Sequence, residues 1–172
     1  IQAVGRAIRK SNDKSYGTIV IPVYLSDVEN VEDEIIASRF KDVWKIILAL
    51  KSQDDCLLNA IDRLRIDLGI RGKDYNEREG LEKIIFDLPK ILHNDFSDSI
   101  RTILIKNTSD DWLEKYGQLK SFYKEYGHKS PISINASLGG WCMNQRQIFR
   151  QGTLSKERIK LLRTIGFSWD PL

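Results

Sequence analysis

Between residues 110 and 166, three helical segments follow one another. Each is opened by a side chain that can cap a helix and closed by a glycine. Trp112, Tyr116, Leu119 and Tyr123 recur at intervals of four, three and four, behind Ser109 or Asp110 and ahead of Gly127. Ser137 precedes a second segment, residues 138–151, which Gly152 stops. Ser155 is the expected N-cap of the third, with Leu154 placed to staple against Ile159. Gly166 suits the left-handed position past that helix, and Phe167 can fold back onto its last turn. Three short helices in about 60 residues lie near the lower limit for a core without metal or disulfide. Trp112, Trp141 and Trp169 supply the large buried areas such a core needs. The expected fold class is mainly α, with a three-helix bundle over residues 110–172.

The preceding residues are less sharply punctuated. Residues 17–25 (GTIVIPVYL) read as a strand, apolar on both faces as in a covered parallel sheet, and fraying at Pro22. From about residue 31 to 51, Ile36, Phe40, Val43, Ile47 and Leu50 form a helical stripe. Residues 52–55 offer a break and a new cap. Cys56, Ala60, Ile61, Leu64 and Leu68 then line a second helix ending near Gly69, and together the two suggest a helical hairpin. Residues 70–80 read as a loop or linker, and residues 82–88 as a short strand halted by Pro89. Asp95 is placed to cap a helix with Phe96, Ile100, Ile103 and Leu104 on one face. The expected organisation is an N-terminal strand remnant over 1–27, a helical connector over 28–109, and the bundle over 110–172.

Charge is distributed unevenly. Residues 1–109 hold 17 basic and 18 acidic side chains, whereas residues 110–172 hold 10 and 6. Within 126–166, seven basic residues face Glu157 alone, the local excess a phosphate-binding surface requires. Arg146 and Arg150, four apart on one helix beside Trp141 and Gln145, are the leading phosphate contacts, joined by Lys129, Lys160 and Arg163. Asn144, Gln145 and Gln147 are the few amides nearby that could read bases. The aromatic residues recur at core spacing, His128 has no nucleophile or paired carboxylate near it and reads as a loop hydrogen-bonder, and His93 reads as a lone structural or exposed residue. Glu32-Asp33-Glu34 and Asp54-Asp55 read as helix-start charges rather than metal ligands. Cys56 and Cys142 lack any CxxC or CxxH neighbour, which argues against a disulfide framework or a zinc site and favours the cytoplasm. No apolar run approaches the roughly 20 residues of a membrane span, so no membrane partner is expected. The chain starts at Ile1 without an initiator Met, as expected of a piece of a larger protein.

The opening Gln2-Ala3-Val4-Gly5-Arg6-Ala7-Ile8-Arg9 fits Q-x-x-G-R-x-x-R and resembles motif VI of superfamily-2 helicases. The strand after it is similar to the one that follows motif VI in that family. The resemblance assigns Arg6 and Arg9 the arginine-finger and nucleotide-sensing roles, and Gln2 a polar contact near the nucleotide. A planar guanidinium suits the negative charge that spreads over a transferring γ-phosphoryl group. The C-terminal third resembles the helicase-associated domain through Trp112, Tyr116-Gly117, Gly127-His128, Leu138-Gly139, Trp141, Gln145-Arg146 and Gly166-Phe167-x-Trp169. Together the two resemblances imply the C-terminal fragment of an ATP-dependent nucleic-acid helicase or translocase, acting on DNA. Its missing N-terminal motor domains would be partners on the same chain. ATP and Mg2+ belong to that intact protein. The P-loop GxxxxGK[ST] does not occur in the sequence. That loop and the Mg-binding DExx box are expected upstream of Ile1, so this segment alone is expected to bind neither and to be inactive. The competing expectation is a non-enzymatic helical module that docks the motor onto a protein partner.

Overall fold

The structure, a computed structural model, describes residues 19–21, 40–72, 84 and 94–170. Among these residues the regular structure is entirely helical: α1 (Phe40–Lys51), α2 (Asp55–Arg71), α3 (Asn94–Thr108), α4 (Asp111–Tyr126), a 3-10 turn (Pro131–Ser133), α5 (Ala136–Arg150) and α6 (Lys156–Thr164). The strand expected over 17–25 is not seen where it can be examined. Residues 19–21 have no regular structure, and Val20 is 81% exposed. A buried parallel strand needs neighbours to pair its N–H and C=O groups, and the described residues supply no second strand. The rest of that segment, motif VI, and all of residues 82–88 except Ile84 lie outside the described residues, as do residues 31–39 of the first expected helix.

The described residues fall into two compact units. The first holds α1, the opening of α2 up to Ala60, and α3. Here α1 packs on α3. The buried side chains of α1 are Trp44 and Ile47, three apart, while Val43 and Leu50 are only half-buried. The face is turned by about one residue from the expected stripe, because the indole is the largest apolar group available to bury. Ile100, Leu104 and Ile105 complete the interior from α3. At its end Thr108 Oγ1 donates to the Leu104 carbonyl (2.8 Å), and Lys51 Nζ donates to the Thr108 carbonyl (2.9 Å). The break before α2 forms as expected: the Asp54 carboxylate accepts from the backbone N–H of Cys56 (2.9 Å) and Leu57 (3.1 Å). Leu57 is buried and Cys56 exposed, the reverse of the sequence expectation.

The second unit joins α2 from Ile61 onward to the chain from Ser109 on. Along the chain the unit changes between Thr108 and Ser109, and residues 61–71, expected in the connector, group with the C-terminal helices. Trp112, Tyr116, Leu119 and Phe122 of α4, Leu138 and Cys142 of α5, Leu162 of α6, and Leu154 and Phe167 beside them form one core. Trp141 and Trp169 pack on its margin, half-buried. Trp169 stacks on Phe149 at 4.1 Å between ring centroids.

Each helix end has a local cause. The Asp110 side chain accepts from Trp112 N–H, Asn135 from Leu138 N–H, and Ser155 from Arg158 N–H. Asn135, not Ser137, therefore caps α5, which starts two residues earlier than the sequence implied. Past α6, Gly166 N–H donates to the Arg163 carbonyl and Phe167 N–H to the Leu162 carbonyl, both at 3.0 Å. With Gly166 at φ +69°, this is a Schellman closure, and it carries Phe167 into the core.

Gly69 does not end α2, which runs on to Arg71. It lies at a crossing with α4. A Cβ on Gly69 would overlap the Glu114 carbonyl; one on Gly117 would overlap the Ile66 carbonyl and stand 3.1 Å from Gly69 Cα. Beside the crossing the buried Arg65 guanidinium pairs with Asp111, and its Nε faces Glu114 Oε2 at 2.9 Å.

Candidate nucleic-acid interface

The expected phosphate-binding residues separate into two groups. Arg146 belongs to the interior: it is 8% exposed, its Nε donates to the Ser168 carbonyl at 2.9 Å, and its guanidinium lies 5.0 Å from the centre of the Phe167 ring. Four-residue spacing from Arg150 did not put both on the open face, because Arg146 follows Cys142 and Gln145 into the core-facing side of α5. Gln145 is likewise enclosed, its Oε1 accepting from Trp112 Nε1 at 2.8 Å. Both side chains thus lie on the core-facing side of α5. Arg158, one of the seven basic residues counted above, pairs with Asp110 and lies 5.2 Å from the centre of the Trp112 ring.

Lys129, Arg150, Lys160 and Arg163 are exposed. Among the described residues Arg150 meets only Asp170, at 3.4 Å between two largely solvated groups, a pairing of little energetic weight. Lys160 and Arg163 share a shallow depression on α6 with Lys156, Ile159 and Thr164. Lys156, absent from the expected set, stands four residues before Lys160 and seven before Arg163, so the three follow one helical face. That spacing was the signal for it in the sequence.

The open face of α5 is different in kind. Gly140, Met143, Asn144, Gln147, Arg150 and Gln151 line one depression. No carboxylate occurs anywhere in α5. Helices α5 and α6 are consecutive, joined by residues 151–155, so a carboxamide surface and a basic surface adjoin in sequence. Gln2, Arg6 and Arg9 lie outside the described residues.

Two titratable groups of this unit are shifted, the buried Cys142 of α5 and the half-buried Tyr123 of α4. Burial pushes the Cys142 thiol up to about 11 and the Tyr123 phenol up to about 12; for Tyr123, nearby Cys142 adds to the rise, and Arg146 opposes both shifts. Cys142 is thus a protonated core side chain rather than a nucleophile at neutral pH. Both cysteines are free. Among the described residues, no group of three or more His, Cys, Asp or Glu is placed to hold a metal, and no helix is long and apolar enough to cross a membrane.

Residues 109–170 match the family model of the helicase associated domain. The matched segment begins just before the Asp110 cap and ends just after Trp169, so it takes in α4, α5 and α6 and excludes the part of α2 that packs on them. The C-terminal third is therefore similar to a domain found in a helicase-related setting. Comparisons with curated proteins and with solved structures found no match.

Proposed function

We propose that the C-terminal unit is a nucleic-acid-binding accessory module of an ATP-dependent DNA helicase or translocase. The observation that carries this reading is the face of α6: Lys156, Lys160 and Arg163 lie together on a surface depression beside a helix with no carboxylate. Such a surface suits phosphate oxygens, with Glu157 the one carboxylate on α6. Lys129 and Arg150 extend the basic set. The helicase-associated match over 109–170 supports the motor context, and the likeness of Gln2, Arg6 and Arg9 to motif VI supplies its chemistry. In that reading Arg6 and Arg9 reach the γ-phosphate of an ATP held, with Mg2+, by the preceding motor domains of the same chain. The two free cysteines accord with a cytoplasmic setting.

Binding of labelled duplex and single-stranded oligonucleotides across a salt series tests the reading. Affinity should fall steeply with salt, and Lys160→Ala and Arg163→Ala should each lower the slope on duplex DNA by about 0.9. A second reading, docking onto a protein partner, rests on the exposed Ile132 and Ile134 beside α5. It would show as partner binding that salt scarcely affects, with no affinity for either oligonucleotide.

A further inference from the structure

A glycine inside a helix costs stability, so each one calls for a reason. Within the second unit a positive φ or a close backbone neighbour provides it at nearly every described glycine; Gly139, for instance, leaves room for Ile132 Cα, 2.5 Å from where a Cβ would sit. Gly140 has neither. It is exposed, its φ is ordinary, and a Cβ there would meet nothing within 4 Å. Among the described residues, nothing uses the space that Gly140 leaves open.

The residues in line with Gly140 give that space a purpose. Asn144, Gln147 and Gln151 follow it at intervals of four, three and four, so the three carboxamides and the open glycine form one stripe, with Met143 and Arg150 along its side. A carboxamide offers a donor and an acceptor side by side, the pair that matches N6 and N7 of adenine. An arginine matches guanine, and an apolar group matches the thymine methyl. An ordinary solvated helix face carries lysine and glutamate, as the exposed side of α4 does with Lys120, Lys124 and Glu125. The α5 stripe has no lysine and no carboxylate.

We infer that α5 enters the major groove of duplex DNA and reads base edges through Asn144, Gln147 and Gln151, with Gly140 allowing the helix backbone close approach, while the α6 basic face holds phosphates. This deepens the reading above and rests on it. Duplex DNA is favoured over other nucleic acids on two grounds. Its major groove, about 12 Å wide, admits a helix, whereas that of A-form RNA is too deep and narrow to be read by side chains. Single-strand binding calls for exposed aromatic platforms, and the aromatic residues of α5 are half-buried against other rings: Trp141 on Trp112, and Phe149 on Trp169. From Gly140 to Gln151 the stripe rises eleven steps, roughly 16 Å of helix, enough to follow about five base pairs.

The test is selection of the 172-residue chain on a randomised duplex library, followed by affinity measurements on the enriched and depleted sequences. A preferred sequence should emerge. Asn144→Ala and Gln147→Ala should each lose about tenfold on it and bind it as the parent binds depleted sequences. Gly140→Ala gives the sharpest contrast: its melting temperature should rise by a few degrees while affinity for the preferred sequence falls. An unchanged preference in Asn144→Ala and Gln147→Ala, or Gly140→Ala binding as tightly as the parent, overturns the inference. So does salt-dependent binding without any preference, or tighter binding to single strands or RNA duplex; these leave the phosphate reading intact. No binding to any nucleic acid at low salt overturns both.

Discussion

A guanidinium at the margin of a small helical core needs a partner for its enclosed donor and packing for its plane, and Arg146 has Ser168 for its Nε and Phe167 for its plane. Arg146→Ala should therefore destabilise the unit by about 1–3 kcal/mol, through a lost buried hydrogen bond and lost packing. Thermal unfolding would register this, whereas the salt slope of DNA binding should move with Lys160→Ala and not with Arg146→Ala. Alkaline pH gives a second expectation at this scale. The thiol of Cys142 titrates near 9 when unfolded and about 11 when folded, and the Tyr123 phenol near 10 and about 12. The unfolded chain releases these protons first, so it binds fewer protons throughout that window and stability falls as pH rises. The fall should begin near pH 9 and continue to about pH 12. Cys142→Ala should flatten its lower part in urea titrations at stepped pH. For the motor reading the corresponding residues are Arg6 and Arg9. Alanine at either, in the intact protein, should cut kcat for ATP on the order of a thousandfold with little change in nucleotide affinity. Near-normal turnover would mean that the motif VI likeness is accidental.

Helix ends were the most legible feature of the sequence, since caps and closing glycines act within a few residues of themselves. Ser155, Asp110, Gly127, Gly152 and Gly166 all stand where their local chemistry implied. Helix faces were less legible. The choice of Trp44 over Val43, or of Leu57 over Cys56, depends on which neighbour arrives from elsewhere in the chain. Gly69 shows the limit clearly. In sequence it resembles a helix stop; in the structure it is a contact point chosen for its lack of a side chain, and only Gly117, 48 residues later, explains it. Alanine at Gly69 or Gly117 should cost about 1–3 kcal/mol or more, because a carbonyl rather than a flexible side chain must yield. Each variant should unfold at lower urea than the parent. Gly140→Ala, on an open face, should behave oppositely.

At the scale of the whole molecule, the C-terminal unit is built from two stretches of chain, with α3 in the interval belonging to the other unit. The position of the three C-terminal helices could be read from the sequence; their dependence on α2 could not, because Arg65, Gly69 and Leu68 acquire meaning only once α4 lies against them. A segment comprising residues 109–172 should accordingly be less stable than one comprising residues 55–172. Removing α2 bares Gly117 and leaves Asp111 and Glu114 without Arg65. Parallel thermal unfolding of the two segments measures the difference, and equal melting temperatures would show that α2 is dispensable. The Gly69–Gly117 crossing also sets a schedule for the newborn chain. A ribosome adds roughly 5–20 residues each second, so α2 emerges several seconds before the helices it is shaped to meet. Throughout that interval a notch of bare backbone and a solvated Arg65 wait for α4. A protein that gripped α2 in those seconds would postpone the C-terminal unit without touching any residue of the matched domain.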